Sequence, residues 1–151
     1  MNVRMSLAVA ALSVASPAFA DNHSGGDAAA GEKEFRKCKS CHMIVDDEGN
    51  NIVRGGRVGP NLYGVIGRTA GSVEDFRYSD LLAAAGEAGL EWDEAEFAAY
   101  VQDPTGYLRE YTGESSGRGK MAYKVRDEQD AMDLAAYLAT FSDGMDDGGD
   151  G

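Results

Sequence analysis

The run Cys38-Lys39-Ser40-Cys41-His42 constrains this chain more than any other part of its sequence. The pattern Cys-x-x-Cys-His is the attachment signature of a c-type haem, in which both thiols form thioethers with the porphyrin vinyl groups. The adjacent imidazole is then the proximal ligand of the iron, because one short turn carries all three side chains. The motif therefore predicts a covalently bound redox cofactor.

Two other interpretations of the motif remain open. A Cys-x-x-Cys pair can be a disulfide or a thioredoxin-like redox pair, but that pair belongs in a βαβ pattern, and no alternating apolar run here predicts a strand. It can also be half of a zinc site. Cys38 and Cys41 are the only cysteines and the chain has two histidines, so four zinc ligands are hard to assemble.

The first twenty residues have the features of a secretory signal. Arg4 is an early cation, an apolar run extends from Leu7 to Ala15, and Ala18-Phe19-Ala20 fits a cleavage site. The run is shorter than the ~20 apolar residues of a membrane-spanning helix, and Pro17 interrupts its end, so a retained anchor is the alternative. We expect residues 1–20 to be cleaved and the protein to be exported to a bacterial periplasm.

Composition predicts one acidic domain in the remainder of the chain. The formal net charge is −12 at pH 7 over 151 residues, which disfavours a nucleic-acid partner and suits a single compact domain. Residues 21–27 are predicted to be a flexible N-terminus, and the Asp/Gly-rich residues 142–151 a disordered acidic tail. The ordered domain is expected over residues 28–141.

Helix caps and apolar spacing predict four helices and two long loops. Each helix is preceded by a residue whose side chain can accept hydrogen bonds from the first turn. The helices are expected from Ala28 to about Lys37 after Asp27, from Asp80 to Ala85 between Ser79 and Gly86, between Asp93 and Asp103-Pro104, and after Asp127. Two Gly-rich segments with little periodicity are predicted to be long loops, at residues 46–69 and 105–120. A haem would provide the apolar surface around which these loops wrap.

Elimination leaves one candidate ligand for the second face of the iron. His23, the only other histidine, lies in the predicted loose N-terminus. Five of the six methionines lie in the signal segment, directly after His42, in the last helix or in the tail: Met1, Met5, Met43, Met132 and Met145. Met121 remains, with core packing as its alternative role. A thioether opposite an imidazole favours ferrous iron and leaves no open coordination position, which predicts electron transfer rather than catalysis.

A series of short motifs then carries a family resemblance over nearly the whole predicted domain. In chain order they are Gly31-Glu32-Lys33-Glu34-Phe35, the haem motif, Gly59-Pro60-Asn61-Leu62-Tyr63-Gly64, Gly67-Arg68, Trp92, Tyr100, Asp103-Pro104, Gly119-Lys120-Met121 and Ala136-Tyr137-Leu138. This series resembles the class I cytochromes c, of the cytochrome c2 and c550 type of purple and denitrifying bacteria. The resemblance implies an all-α fold in which the N- and C-terminal helices cross and long loops wrap around one haem. Relative to the small mitochondrial members, residues 46–57 and 110–118 are extra.

The same resemblance implies roles for individual residues. Gly31 would allow a close helix crossing against Leu134 and Tyr137. The carbonyl of Pro60 would accept a hydrogen bond from His42, as partners of metal-binding histidines do. The remaining implied cofactor contacts are Arg68, Tyr78 and Trp92 at the haem propionates, Tyr100 near the methionine sulfur, and Leu62 and Val101 as apolar walls.

Local charge predicts a docking surface in spite of the acidic total. Six cations lie in the two segments that would bracket the haem, whereas acidic residues concentrate in residues 87–96 and in the tail. The alternative to a docking surface is that these cations are solvated surface charges that do not steer a partner. The six are Lys37, Lys39, Arg118, Lys120, Lys124 and Arg126.

These expectations describe a monomeric periplasmic electron carrier with one haem c, not an enzyme. By resemblance its donor is a cytochrome bc-type complex, and its acceptor is a terminal cytochrome oxidase, a photosynthetic reaction centre or a periplasmic denitrification reductase. The alternatives are a haem enzyme or gas-binding sensor in which Met121 is displaced, and an electron-transfer module that keeps its N-terminal segment as an anchor.

Overall fold

The computed structural model describes residues 25–142 as five helices and one small antiparallel sheet. In chain order these are α1 (Ala28–Phe35), β1 (Ile44–Val45), β2 (Asn51–Val53), α2 (Asp80–Glu87), α3 (Glu94–Gln102), α4 (Pro104–Thr112) and α5 (Glu128–Ala139). The mostly helical architecture confirms the predicted all-α class. The expected signal segment, most of both expected disordered ends, His23 and Met145 lie outside the described residues. Every helix within residues 25–142 is too short or too polar to cross a bilayer.

Four helices begin at the caps that the sequence predicts. The carboxylate of Asp27 accepts hydrogen bonds from the amides of Ala29 and Ala30, at 2.8 and 3.2 Å. The three other predicted caps, Ser79, Asp93 and Asp127, accept from amides two or three residues further on. These side chains satisfy donors that an isolated helix start leaves without partners. The ends were predicted less well, since α1 stops at Phe35, two residues before the expected Lys37.

The prediction that Gly86 ends the second helix is wrong. Helix α2 runs through Gly86 to Glu87, and the left-handed residue that follows it is Gly89, with φ of 98°. Gly86 is needed for a different reason, because a Cβ at this position would overlap the carbonyl oxygen of Ala70. The glycine therefore permits close packing of α2 on the preceding loop, and Gly89 is the residue that supplies the turn.

The two predicted loops contain regular structure. Asp103 ends α3 and also caps α4, where its carboxylate accepts from the amide of Gly106 at 3.3 Å. Pro104 occupies the first turn of α4, where proline is tolerated because its missing N–H would have no helical partner. Gly113, with φ of 73°, ends this helix. In the other predicted loop, β2 forms an antiparallel hairpin with β1, which lies just before that loop, and Ile44 is opposite Val53.

The first and last helices cross in close contact, as the resemblance implies. A Cβ at Gly31 would overlap the carbonyl oxygen of Asp133, so only glycine permits this approach. The rings of Phe35 and Tyr137 pack beside the crossing with centroids 5.7 Å apart. The buried carboxylate of Asp133 accepts the amide of Asp27 at 2.7 Å, which joins the start of α1 to α5. Helix α3 packs on α5 as well, so the crossing supports the wall that carries Tyr100 and Val101.

We expect Gly31→Ala to lower the free energy of unfolding by up to about 2 kcal/mol. Alanine would gain about 1 kcal/mol of helix propensity, but overpacking against α5 typically costs 1–3 kcal/mol and can exceed this gain. Denaturant unfolding of the haem-loaded protein measures the difference. Ala29→Gly, at an exposed position of α1, is the control and should lose about 1 kcal/mol through propensity alone. A stabilised Gly31→Ala protein would contradict the close crossing.

Candidate haem site

A cavity of about 410 Å³ lies between the end of α1, the loop after β2, helix α3 and the segment around Met121. Its wall is mostly apolar, as expected of a site for a porphyrin. All eleven residues predicted to contact the haem or its iron line this one cavity: Cys38, Cys41, His42, Pro60, Leu62, Arg68, Tyr78, Trp92, Tyr100, Val101 and Met121. Residues distant in sequence therefore converge where the resemblance implies that they should.

The two cysteines and His42 lie on a tight turn that continues from α1. The amides of Cys41 and His42 both donate to the carbonyl of Cys38, at 3.1 and 2.9 Å. Two glycines of the following loop pack on this turn, since a Cβ at Gly55 would overlap the carbonyl oxygen of His42 and one at Gly56 that of Ser40. The turn therefore packs directly on the backbone of this loop, and larger residues at the two glycine positions would prevent that contact.

The surroundings of the cysteines disfavour both alternative interpretations of the motif. Burial raises the pKa of the Cys38 thiol to about 11. A thioredoxin-like redox pair needs a thiol whose pKa is lowered instead. Within residues 25–142, no group of three His, Cys, Asp and Glu side chains is placed to hold a metal ion, as a zinc site would require.

His42 presents one ring nitrogen to the cavity. Its Nδ1 lies 2.9 Å from the carbonyl oxygen of Pro60, so the protonated nitrogen donates there, as the resemblance implies. This bond orients the ring and leaves Nε2 as the free base. Burial lowers the pKa of His42, which favours the neutral imidazole that binds metals. A Cβ at Gly59 would overlap the ring, so glycine is required where the loop passes the imidazole.

The loop that carries Pro60 is fixed by the side chain of Asn61. Its Oδ1 accepts from the amides of Val45 and Tyr63, at 3.0 and 3.1 Å, and its Nδ2 donates to the carbonyl of Val45 at 2.7 Å. One amide side chain therefore ties the loop to β1 through two hydrogen bonds, and a third, from Tyr63, braces the loop itself. The position of the Pro60 carbonyl, and so the orientation of His42, depends on this connection.

The cavity lining also carries hydrogen-bond donors. The guanidinium of Arg68 donates to the carbonyls of Tyr63 and Asn61, at 3.2 and 3.1 Å, and burial lowers its pKa. Backbone hydrogen bonds place Arg68 beside Trp92, since the Trp92 amide donates to the Arg68 carbonyl at 3.0 Å. Within residues 25–142, no carboxylate forms an ion pair with Arg68. A half-buried cation without a carboxylate partner fits a cofactor that brings its own carboxylates.

Two phenols and a thioether also line the cavity. Burial raises the pKa of Tyr100 to about 12, which keeps its hydroxyl protonated and able to donate a hydrogen bond. The hydroxyl of Tyr78 accepts from the Val73 amide at 3.3 Å. Met121 is half-buried, and Leu62 and Val101 are buried on the walls. The residues present therefore fit a haem with two thioether links, one imidazole and one thioether ligand.

The six predicted docking cations differ in how much free positive charge they present. Lys37 and Lys120 line the cavity. The ammonium of Lys37 pairs with Glu34 at 2.6 Å, and that of Lys124 with Asp103 at 2.7 Å. The ammonium of Lys120 donates to the carbonyl of Arg77 at 2.6 Å. Three cations, Lys39, Arg118 and Arg126, are exposed and form no ion pair with another described residue.

Sequence reasoning missed two exposed apolar residues of the cavity lining. Val58 is 77% exposed and Tyr123 is 48% exposed, and both line the cavity together with Lys37 and Lys120. Neither belongs to a periodic apolar pattern. Only their nearness in sequence to Pro60 and Met121 could have suggested a place at this site.

Comparison with known proteins found similar chains. This chain is 60% identical over 116 residues to cytochrome c2 of Rhodovulum adriaticum, which covers 76% of this chain and 92% of that protein. It is 58% identical over 128 residues to cytochrome c-551 of Roseobacter denitrificans, covering 85% and 87%. A comparison with protein-family models found no match.

Solved structures give the same result. Cytochrome c2 from Rhodobacter sphaeroides superposes with a TM-score of 0.74 at 51% identity, over 76% of this chain and 95% of that one. Ferric cytochrome c-550 from Paracoccus versutus superposes with a TM-score of 0.73 at 48% identity, over 78% and 98%.

We expect Asn61→Ala to lower the free energy of unfolding by about 2–4 kcal/mol, because it leaves backbone groups at β1 without partners at 1–3 kcal/mol each. Denaturant unfolding of the haem-loaded protein measures the change. The control is Asn50→Ala, because among the described residues the side-chain amide of Asn50 forms only exposed hydrogen bonds, to Asp46 and Glu48, and their loss should cost less than about 1 kcal/mol. Equal losses in the two variants would contradict the role assigned to Asn61.

Proposed function

The chain belongs to the class I cytochromes c of the cytochrome c2 and c-550 type, electron-transfer proteins with one covalently bound haem c, and from this premise we propose the details of its function. It acts in the periplasm as a one-electron shuttle between a cytochrome bc-type complex and an acceptor. The acceptor is a terminal oxidase, a photosynthetic reaction centre or a denitrification reductase. The convergence of His42 and Met121 on one cavity supports this proposal most directly.

The bound haem supplies reversible one-electron chemistry at its iron. Cys38 and Cys41 would form the thioether links, and His42 would bind the iron through its Nε2. Pro60 holds the protonated Nδ1 and thereby the ring orientation, at 2.9 Å. Met121 would supply a thioether ligand, so that side chains of this chain would hold the iron and exclude outside ligands.

The other lining residues set the conditions of transfer. Arg68, Tyr78 and Trp92 are the donors for the propionates, whose charge would otherwise be costly in an apolar cavity. Tyr100 donates its hydroxyl hydrogen toward the Met121 sulfur. Buried apolar walls, among them Val101 and Leu62, exclude water from the cavity. Exclusion of water favours the less charged, reduced state, and the soft thioether does the same.

Docking uses the apolar and charged residues at the cavity mouth. Val58 and Tyr123 offer exposed apolar contact there, and Lys37 and Lys120 offer positive charge. Partners with an acidic surface would be steered toward this side, although the chain carries a net charge of −12. The ion pairs of Lys37 with Glu34 and of Lys124 with Asp103 reduce the positive charge that these two lysines present. The remaining positive charge of the docking surface comes from Lys39, Arg118 and Arg126, which are unpaired among the described residues.

We expect Met121→Ala to lower the reduction potential and to open the iron to carbon monoxide in the reduced protein. The loss of a soft thioether removes a ligand that favours ferrous iron. Potentiometric titration and absorption spectra with and without carbon monoxide measure both effects. Met132→Leu, a substitution in the packing of α5, is the control and should leave both unchanged. A Met121→Ala protein with unaltered potential and no carbon monoxide binding would contradict the proposed ligand.

We expect Lys37→Glu to slow reduction by a purified cytochrome bc-type complex several-fold at low ionic strength and less at high salt. Stopped-flow rates across a salt series measure this dependence. Lys33→Glu changes the net charge equally on the same helix but lies outside the cavity lining, so its effect should be smaller. Rates that do not depend on salt, in either protein, would contradict electrostatic docking at the cavity mouth.

A further inference from the structure

The segment that carries Met121 is attached to helix α4 by side chains that do not line the haem cavity. We refer to residues 117–125 as the ligand loop. The amide of Gly119 donates to the hydroxyl of Thr105 at 3.1 Å. The guanidinium of Arg109 donates to the carbonyl of Gly117 through Nε at 3.0 Å and through Nη2 at 2.5 Å. The backbone of the loop before Met121 is thus held at two points.

Thr105 and Arg109 are well placed for this attachment because α4 is firmly anchored. They are four residues apart and so lie on one face of the helix. Leu108 and Pro104 on the neighbouring face are fully buried, and Asp103 caps the first turn of the helix. The attachment points therefore belong to a rigid element, whereas the residues between Thr112 and Val125 include no helix or strand.

The attachment also lies close to the proposed ligand along the chain. Only Lys120 separates Gly119 from Met121. On the other side of Met121, the amide of Val125 donates to the carbonyl of Val101 at 2.9 Å, which ties the loop to α3. A backbone movement that withdraws Met121 from the cavity would shift Gly119 relative to α4 or Val125 relative to α3.

We propose that Thr105 and Arg109 are positioning residues that hold Met121 in the cavity and so set how often the sixth coordination position opens. This inference rests on the proposed ligation of iron by Met121. The loop exchanges between a closed form and an open form in which the thioether has left the cavity, as weakly packed segments do in folded proteins. The hydrogen bonds to α4 exist in the closed form, so their loss raises the population of the open form.

Imidazole provides the test, because it binds ferric iron only when the sixth position is open. We expect Thr105→Val and Arg109→Gln each to raise the apparent affinity of the ferric haem-loaded protein for imidazole roughly three- to tenfold, as expected for one lost hydrogen-bonding contact. The conservative Arg109→Lys keeps the charge and one donor and should give a smaller increase. Hydrogen exchange of the Gly119 amide should accelerate in Thr105→Val.

Matched controls separate this effect from general destabilisation. Thr112→Val removes a hydroxyl from the same helix that bonds only within or next to α4, to the Leu108 carbonyl and the Glu114 amide. Glu110→Gln removes an exposed charge from the same helix, outside the ligand loop, and Glu110 has no side-chain hydrogen bond among the described residues. We expect both controls to bind imidazole as the unaltered protein does.

The outcomes are distinguishable. If the unaltered ferric protein lacks the weak far-red absorption band of methionine-ligated haem, the proposed ligand is wrong, whatever the variants do. If the band is present but Thr105→Val and Arg109→Gln bind imidazole no better than their controls, the positioning role is overturned. Equal gains in all four variants would overturn it too, because they would indicate general destabilisation rather than release of one loop.

Discussion

The hydrogen bond from His42 to the carbonyl of Pro60 is the interaction on which the rest of the site depends. It joins the turn at the end of α1 to the loop that follows β2, at 2.9 Å, and it fixes which ring nitrogen faces the cavity. The bond requires that the loop pass directly beside the ring, which is why Gly59 tolerates no Cβ. Asn61 then holds the loop on β1, so the small hairpin serves the site as well as the core, in which Ile44 is buried.

A second constraint comes from enclosing a large apolar group that also carries charge. A chain of this length builds one side of its core by crossing α1 on α5, and the cavity wall rests on that crossing through α3. The wall must still supply donors where the charged edge of the cofactor lies. Arg68 meets this need because backbone carbonyls orient its guanidinium without neutralising it. The cavity lining thus combines apolar packing with a positively charged hydrogen-bond donor.

Much of this arrangement could be predicted from the sequence because it depends on local signals. The caps Asp27, Ser79, Asp93 and Asp127 each act on amides within three residues, so the starts of four helices were correct. The covalent motif and the elimination of other methionines pointed to residues that converge on one cavity. The family resemblance supplied the remaining wall residues, which spacing alone does not reveal.

The features that could not be predicted depend on contacts between distant parts of the chain. Helix α4 was missed because Asp103 ends one helix and caps the next, and Pro104 was interpreted only as a terminator. The role of Gly86 depends on the carbonyl of Ala70, which lies sixteen positions earlier. The ion pair of Lys124 with Asp103 and the attachment of the ligand loop to α4 likewise join separated segments, so charge counts overstated the free positive charge.

The central claim is that the cavity closes both faces of the iron with side chains of this chain. The most direct test is the absorption spectrum of the purified protein, oxidised and then reduced, before and after addition of carbon monoxide. A closed site predicts the weak far-red band of a methionine sulfur on ferric haem and no change when carbon monoxide meets the reduced protein. Absence of that band, together with ready binding of carbon monoxide, would contradict the account and indicate a ligand-binding haem protein.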